Sequence, residues 1–259
     1  TRNSGGVPEN FKNYFVIVFD KPFTYKSSFN GKELNEGVLS QTADHVGAVI
    51  GFKTAKGEKV HARIASSFIS LEQAELNLKE LGNDNLETLA QKGRLVWNEM
   101  LGRIEVEGGS LDQYRMFYSC LYRSLLFPRK FYEIDAAGKV MHYSPTTGEV
   151  LPGYYYTDTG VWDTFRCLFP LLNLMYPSVN KEIQEGYLNA YRESGFYPEW
   201  ASPGHRGCMV GNNTASVLAD AYLKGIRVED SETLWKGLMA AVNGVHPTVN
   251  SSGREGYNY

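Results

Sequence analysis

Ser67-Phe68-Ile69-Ser70-Leu71-Glu72-Gln73-Ala74-Glu75-Leu76-Asn77-Leu78 is where the hydrophobic pattern of this chain changes period. Before it, apolar residues come in short runs or alternate with polar ones. After it, they recur three and four apart. The N-terminal side therefore reads as strand and the C-terminal side mainly as helix, an α+β order with a joint near Leu71.

Upstream of the joint, Phe15-Val16-Ile17-Val18-Phe19 is an apolar run stopped by Asp20, Lys21 and Pro22, as a buried strand would be. Val46 to Phe52 forms a second run. Ala55-Lys56-Gly57-Glu58 makes a turn, after which Val60, Ala62 and Ile64 alternate with His61 and Arg63, predicting one wet face. Three or four strands do not close a sandwich alone, so this block reads as the end of a β-domain.

Downstream, helix boundaries are well marked. Leu71, Ala74, Leu76 and Leu78 predict a short connecting helix. Asp84 or Asn85 can cap a longer one carrying Leu86, Leu89, Ala90, Val96, Trp97 and Met100. Ile104-Glu105-Val106 predicts a short strand. Ser110 and Gln113 have capping-box spacing and open a helix with Tyr114, Phe117, Tyr118, Leu121, Tyr122 and Leu125, ended before Pro128. Another helix starts at Ser178 after Pro177, shows Ile183, Tyr187 and Tyr191 on one face, and ends at Gly195. Two more run from about Asn213 to Gly225, and from Asp230 or Ser231 to Gly244, the latter burying Leu234, Trp235, Leu238 and Val242. The stretch from Pro128 to Gly160 exceeds an ordinary connection and reads as a functional loop. Successive helices with long loops suggest an α/α toroid, with a helical bundle as the other possibility.

Bulk properties narrow the function. A net charge of -3 gives no general attraction to nucleic acid or anionic lipid, and no apolar run is long enough to cross a bilayer. The opening Thr1–Gly6 lacks the basic start and apolar core of a signal peptide, which leaves the compartment open. Cys120, Cys167 and Cys208 are too few and too scattered for a disulfide framework or zinc cluster, and read as buried thiols. Tyr outnumbers Trp 17 to 4, and a ring with a hydroxyl suits both sugar faces and a Tyr-rich core. The five histidines show no metal-ligand spacing, and Glu255 has no assignable role. Asp220, inside an apolar helix, is expected to be hydrogen-bonded and structural.

Chemistry concentrates in Gly160-Val161-Trp162-Asp163-Thr164-Phe165-Arg166. Trp162 offers a ring for stacking. Asp163 and Arg166, three apart, share a helix face and could grip neighbouring sugar hydroxyls, since a carboxylate accepts and a guanidinium donates. A purely local role competes with this: Asp163 could cap its own turn and pair with Arg166. The loop Glu199-Trp200-Ala201-Ser202-Pro203-Gly204-His205-Arg206-Gly207 could form a substrate rim, or only cover a helix pair.

The same segment, with Pro170-Leu171 and Pro177, resembles the G-x-W-D-T-[FY]-R…P-L…P signature of glycoside hydrolase family 92. Ser67-Phe68-Ile69-Ser70 with Ala74 and Asn77-Leu78 resembles the stretch joining that family's two domains. Phe117-Tyr118 with Leu121-Tyr122-Arg123, and Met209-Val210-Gly211 with Ala219-Asp220-Ala221-Tyr222 and Lys224-Gly225, are similar to two further family motifs, in the same order.

The resemblance implies an N-terminal β-sandwich and an (α/α)6 barrel, divided here as the end of the sandwich over 1–72, a helical linker over 73–107 and the first half of the barrel over 108–259. It implies an inverting exo-α-mannosidase that removes terminal α-linked mannose from glycans with the help of calcium, in a secreted or periplasmic setting. Inversion needs an acid, a base and room for water between them. No segment before Tyr259 matches the family's acid, base or calcium ligands, so the resemblance leaves only substrate contacts here: Trp162, Asp163 and Arg166, with Trp200 and His205 as further candidates. A noncatalytic carbohydrate-binding or scaffold protein, or another α/α-toroid glycosidase or lyase, are the competing readings.

Overall fold

The computed structural model describes residues 7–209 and 211–249. The Thr1–Gly6 opening, Val210 and Glu255 lie outside the described residues. The N-terminal part is β-rich and the remainder mainly helical, as the change of period predicts.

Strand β1 (Tyr14–Phe19) pairs antiparallel with β5 (Ala62–Ser67), placing Ile17 opposite Ile64. In a second sheet, β2 (Tyr25–Asn30) lies between β3 (Glu33–Glu36) and β4 (Val46–Gly51). The apolar run of β1 is a strand but not a buried one: Phe15, Ile17 and the facing Ile64 are exposed. Alternation in β5 is reversed from expectation. Arg63 and Ala65 are half-buried while Ala62 and Ile64 face out, because Arg63 donates to the Gly82 and Asp84 carbonyls. Hydrophobicity assigned the faces, and hydrogen bonding overrode it.

The joint itself is fixed by short-range chemistry. Ser67 Oγ accepts from the Ile69 N–H at 2.9 Å. Ser70 caps α1 (Leu71–Leu78) by accepting from the Gln73 N–H at 3.1 Å. Ala74 is fully buried. Asn77 donates to the Ser66 carbonyl at 3.0 Å and to Glu133 Oε2 at 2.7 Å. Each position of the Ser-Phe-Ile-Ser…Ala…Asn stretch thus has a structural task.

Asn85, not Asp84, caps α2 (Leu86–Leu101), where no residue is fully buried and Leu86 and Val96 are exposed. Ile104-Glu105-Val106 is not a strand. Ile104 closes a turn onto Leu101 and accepts from the Tyr118 hydroxyl at 3.0 Å. Helix α3 (Leu111–Ser124) begins with both reciprocal bonds of the Ser110–Gln113 capping box.

The stretch read as a long loop is an ordered set of small strands: β6 (Arg129–Lys130), β7 (Glu133–Ile134), β8 (Val140–Tyr143), β9 (Val150–Pro152), β10 (Tyr156–Thr157) and β11 (Thr159–Gly160). β8 lies between β7 and β9, and β6 pairs with β10. This unit binds both halves of the molecule. Glu133 Oε1 accepts from the Phe68 N–H at 2.8 Å, and Asn10 links the Gly148 carbonyl to the Tyr143 hydroxyl, both at 2.8 Å. Tyr143, Phe11, Phe68 and Phe131 form a continuous run of ring contacts behind those bonds, with Phe11 and Phe68 stacked.

The helical part comprises α4 (Val161–Thr164), α5 (Leu168–Met175), α6 (Pro177–Ser194), α7 (Asn213–Leu223) and α8 (Ser231–Asn243), with β12 (Trp200–Ala201) between α6 and α7. α5 packs on α6 and α7, and α8 on α6 and α7. These are two neighbouring helix pairs, as expected within an α/α barrel. Pro177 occupies the first turn of α6, and Gly195 ends it in the left-handed conformation, φ 79°. Phe169, Leu172, Tyr176, Ile183, Leu188 and Leu218 form the centre of the core.

Further burial expectations fail in the helical part. Trp235 and Val242 of α8 are exposed, and its buried face is instead Leu234, Gly237 and Ala241. Tyr197 covers Gly237 and donates to the Leu234 carbonyl at 3.0 Å. All three cysteines are exposed free thiols, not buried ones. Asp220 is hydrogen-bonded as expected, to Asn173 and Lys224 at 2.7 Å each, but on a half-exposed face of α7.

Candidate functional site

β11 and β12 pair antiparallel, Thr159 opposite Ala201 and Gly160 opposite Trp200. The two strands come from distant parts of the sequence, and their pairing places the Trp162–Asp163 turn beside Trp200. Three more backbone bonds tighten the junction: Asp158 N–H to the Ala201 carbonyl, Val161 N–H to the Glu199 carbonyl and Arg206 N–H to the Trp200 carbonyl, each 2.9 Å.

Gly160 is the point of closest approach. A Cβ there would lie 2.5 Å from Met209 Cε, 2.7 Å from Asp163 Oδ2 and 3.2 Å from Trp200 Cε3. A carboxylate, a thioether and an indole therefore converge on one residue without a side chain. The φ of Gly160, -91°, is open to any residue, so space rather than backbone conformation requires glycine. Asp158, just before β11, has φ 60°, and its carboxylate accepts from the Ser202 hydroxyl at 3.0 Å and lies 3.5 Å from Arg129 Nε. A non-glycine residue held in this conformation marks a locally strained turn.

Val161 is buried and anchors α4, while Trp162, Asp163 and Arg166 are exposed. Asp163 neither caps the helix nor pairs with Arg166. Gly160 occupies the cap position, and no hydrogen bond or ion pair holds the Asp163 carboxylate among the described residues. Arg166 stacks instead on Phe165 and Trp162, 4.3 and 5.4 Å from the ring centres, and donates to the Trp162 carbonyl at 3.2 Å. The arrangement presents an indole, a carboxylate with open acceptor sites and a cation to solvent. Such a set can stack on and hydrogen-bond a polar ring.

The Glu199–Gly207 loop divides. Trp200 joins the group at Gly160. His205 does not: its ring lines a separate cleft of about 530 Å³ with Ser194, His246 and the Pro145–Thr147 turn. Its Nε2 lies 3.2 Å from Ser194 Oγ, its ring stacks on His246 at 5.3 Å, and burial lowers its pKa to about 3. The expectation of unconnected histidines is corrected by this pair. Among the described residues no group of three His, Cys, Asp or Glu could hold a metal ion.

Of the two readings of this loop, a substrate rim or a cover for a helix pair, Glu199 fits the second: the structure buries it at 2% exposure. Its carboxylate accepts from the Asn213 and Thr214 N–H groups at 2.9 and 3.0 Å, at the start of α7. Burial, opposed by those bonds, pushes its pKa up to about 7. Met209 and Gly160 were also missed as site formers, and the glycine in a strand beside an aromatic was the available signal.

A family model described as the glycosyl hydrolase family 92 catalytic domain matches residues 73–259, and one described as the family 92 N-terminal domain matches residues 1–67. The chain belongs to glycosyl hydrolase family 92. The inverting mannosidase BT2199 of family 92 from Bacteroides thetaiotaomicron is 47% identical, with a TM-score of 0.95 over 99% of this chain and 35% of that one. The family 92 α-mannosidase BT3965 from the same organism is 26% identical, with a TM-score of 0.78 over 90% of this chain and 32% of that one. It has also been solved in complex with mannoimidazole. This family 92 chain thus spans about a third of the length of these solved relatives. No curated protein matches it. Both of these structural neighbours are described as mannosidases.

Proposed function

We propose that this chain forms the sugar-holding side of an inverting exo-α-mannosidase acting on terminal α-linked mannose. The observation that carries the reading is the convergence of Asp163, Trp200 and Met209 over Gly160, beside the Trp162–Arg166 stack. Trp162 and Trp200 offer ring faces. Asp163 accepts from sugar hydroxyls, and Arg166 supplies positive charge next to it. These groups bind and orient. Proton transfer, which in inversion takes an acid and a water-holding base, is left to other segments of the polypeptide. Its kinship to BT2199 and BT3965, both named as mannosidases, supports the substrate class.

Calcium and a secreted or periplasmic setting belong to the same proposal, on family resemblance. The described residues do not fit a calcium site, lacking any suitable group of three ligands.

The test is calorimetric titration of mannoimidazole into the polypeptide that carries this chain, with release of mannose from α-mannosides followed in parallel. Saturable binding weakened by Trp162→Ala is expected. Absence of both binding and mannose release would overturn the reading.

A further inference from the structure

The α7 N-terminus is capped in an unusual way. Asn212 occupies the cap position with φ 23°, and its side chain makes no capping hydrogen bond. The acceptor comes from Glu199, on the chain segment that carries Trp200. One carboxylate oxygen takes the Asn213 N–H and the other takes the Thr214 N–H. Thr214 is fully buried, and its hydroxyl donates back to the Pro198 carbonyl at 2.7 Å. On its main-chain side Glu199 accepts from the Val161 N–H, at the start of α4. One residue therefore ties together the Trp162–Asp163 turn, the strand bearing Trp200 and the loop that delivers Met209.

Capping alone does not require this construction. A Ser, Thr or Asp at position 212 would satisfy the same N–H groups from solvent, at no cost of burying a carboxylate. A helix N-terminus favours a nearby anion, which offsets part of that burial cost, and here the contact also fixes a distance between two segments. That distance sets where Trp200 and Met209 sit relative to Asp163.

We infer that Glu199 is a positioning residue for sugar binding, acting through Trp200 and the start of α7 to hold the Gly160 cluster in shape. The inference rests on the reading of that cluster as a mannoside site. It needs the carboxylate form, because both oxygens face N–H donors and only the anion accepts at both without carrying a hydrogen. The group titrates near neutrality, and the Tyr187 hydroxyl is the ionisable group whose own ionisation its charge opposes.

The experiment measures the Kd of mannoimidazole across neutral pH for the polypeptide that carries this chain, and for Glu199→Gln and Thr214→Val. In the unaltered protein binding tightens as pH rises through about 7. Glu199→Gln, which turns an amide N–H toward an N–H, binds at least about tenfold more weakly above that pH and loses the pH slope. Thr214→Val removes the hydroxyl bond to the Pro198 carbonyl and replaces a polar neighbour of the Glu199 carboxylate with an apolar one, so the midpoint of the profile moves to higher pH. A purely structural role would lower thermal stability without moving that midpoint. If the unaltered protein binds and Glu199→Gln matches it in affinity and slope, Glu199 has no positioning role and the mannoside reading stands. If Glu199→Gln does not fold, an unmoved midpoint in Thr214→Val overturns the inference. If the unaltered protein does not bind mannoimidazole, the mannoside reading fails, and this inference with it.

Discussion

Gly160 and Trp200 face each other across a two-residue strand pair, and the nearest indole carbon lies 3.2 Å from where a Gly160 side chain would begin. Because the glycine φ is ordinary, Gly160→Ala tests space alone. The added methyl must displace Met209, Asp163 or Trp200. Expected is a loss of about tenfold or more in mannoimidazole affinity, with little change in helix content by circular dichroism. Unchanged affinity would show that the contact is slack.

Asp163 separates binding from folding. Its carboxylate is exposed and makes no cap or ion pair among the described residues. Asp163→Ala should leave unfolding free energy within about 0.5 kcal/mol of the parent while weakening sugar binding. Denaturant titration and calorimetry together check this, and a large loss of stability would restore the local structural role.

His142 is buried with both ring nitrogens engaged, Nδ1 at 2.8 Å from the Gly153 carbonyl and Nε2 at 2.8 Å from Glu193 Oε1. The carbonyl can only accept, so Nδ1 carries a hydrogen. His142→Ala strands Glu193 in a dry site beside Tyr155, at a cost of about 3–5 kcal/mol. Chemical denaturation measures that loss, and the double variant with Glu193→Leu should recover part of it.

Glu199 gives stability a pH dependence of known sign. Its folded pKa, about 7, lies above the ordinary carboxyl value of 4.5. The folded state therefore holds a proton that the unfolded chain has released between those values. The stabilising contribution is full below about 4.5 and is lost as pH rises through about 7. Denaturant midpoints against pH should show this fall in the parent and not in Glu199→Gln. The form that best holds the sugar is thus the less stable one.

The calcium of the proposal is testable on the polypeptide that carries this chain. Excess EDTA should abolish mannose release, and added calcium should restore it. Turnover indifferent to chelation would remove calcium from the proposal.

Much of the fold was legible because its signals are local. Asn85, Ser110 with Gln113, Asp230 and Gly195 mark helix ends through bonds spanning a few residues, and each does so in the structure. Trp235 and Val242 were misjudged because periodicity identifies an apolar face but does not say what covers it. The Pro128–Gly160 strands are two to four residues long, too short for alternation to register. Their turns were nonetheless marked, since Asp135 accepts from the Ala137 and Lys139 N–H groups ahead of Gly138 at φ 77°. Within the site, Trp162 and Asp163 were readable as a motif. Glu199 was not, because its burial depends on a helix that begins 14 residues later and folds back onto it.

The Glu133 and Asn10 bonds, with the Phe11–Phe68–Phe131 stack, alter what a broken backbone would mean. A protease cutting the exposed α2 region would sever the covalent path between the β-rich and helical parts. It would still leave them riveted through the small strands that follow α3. Nicked molecules should migrate as a single species under native conditions and separate into two only when denatured.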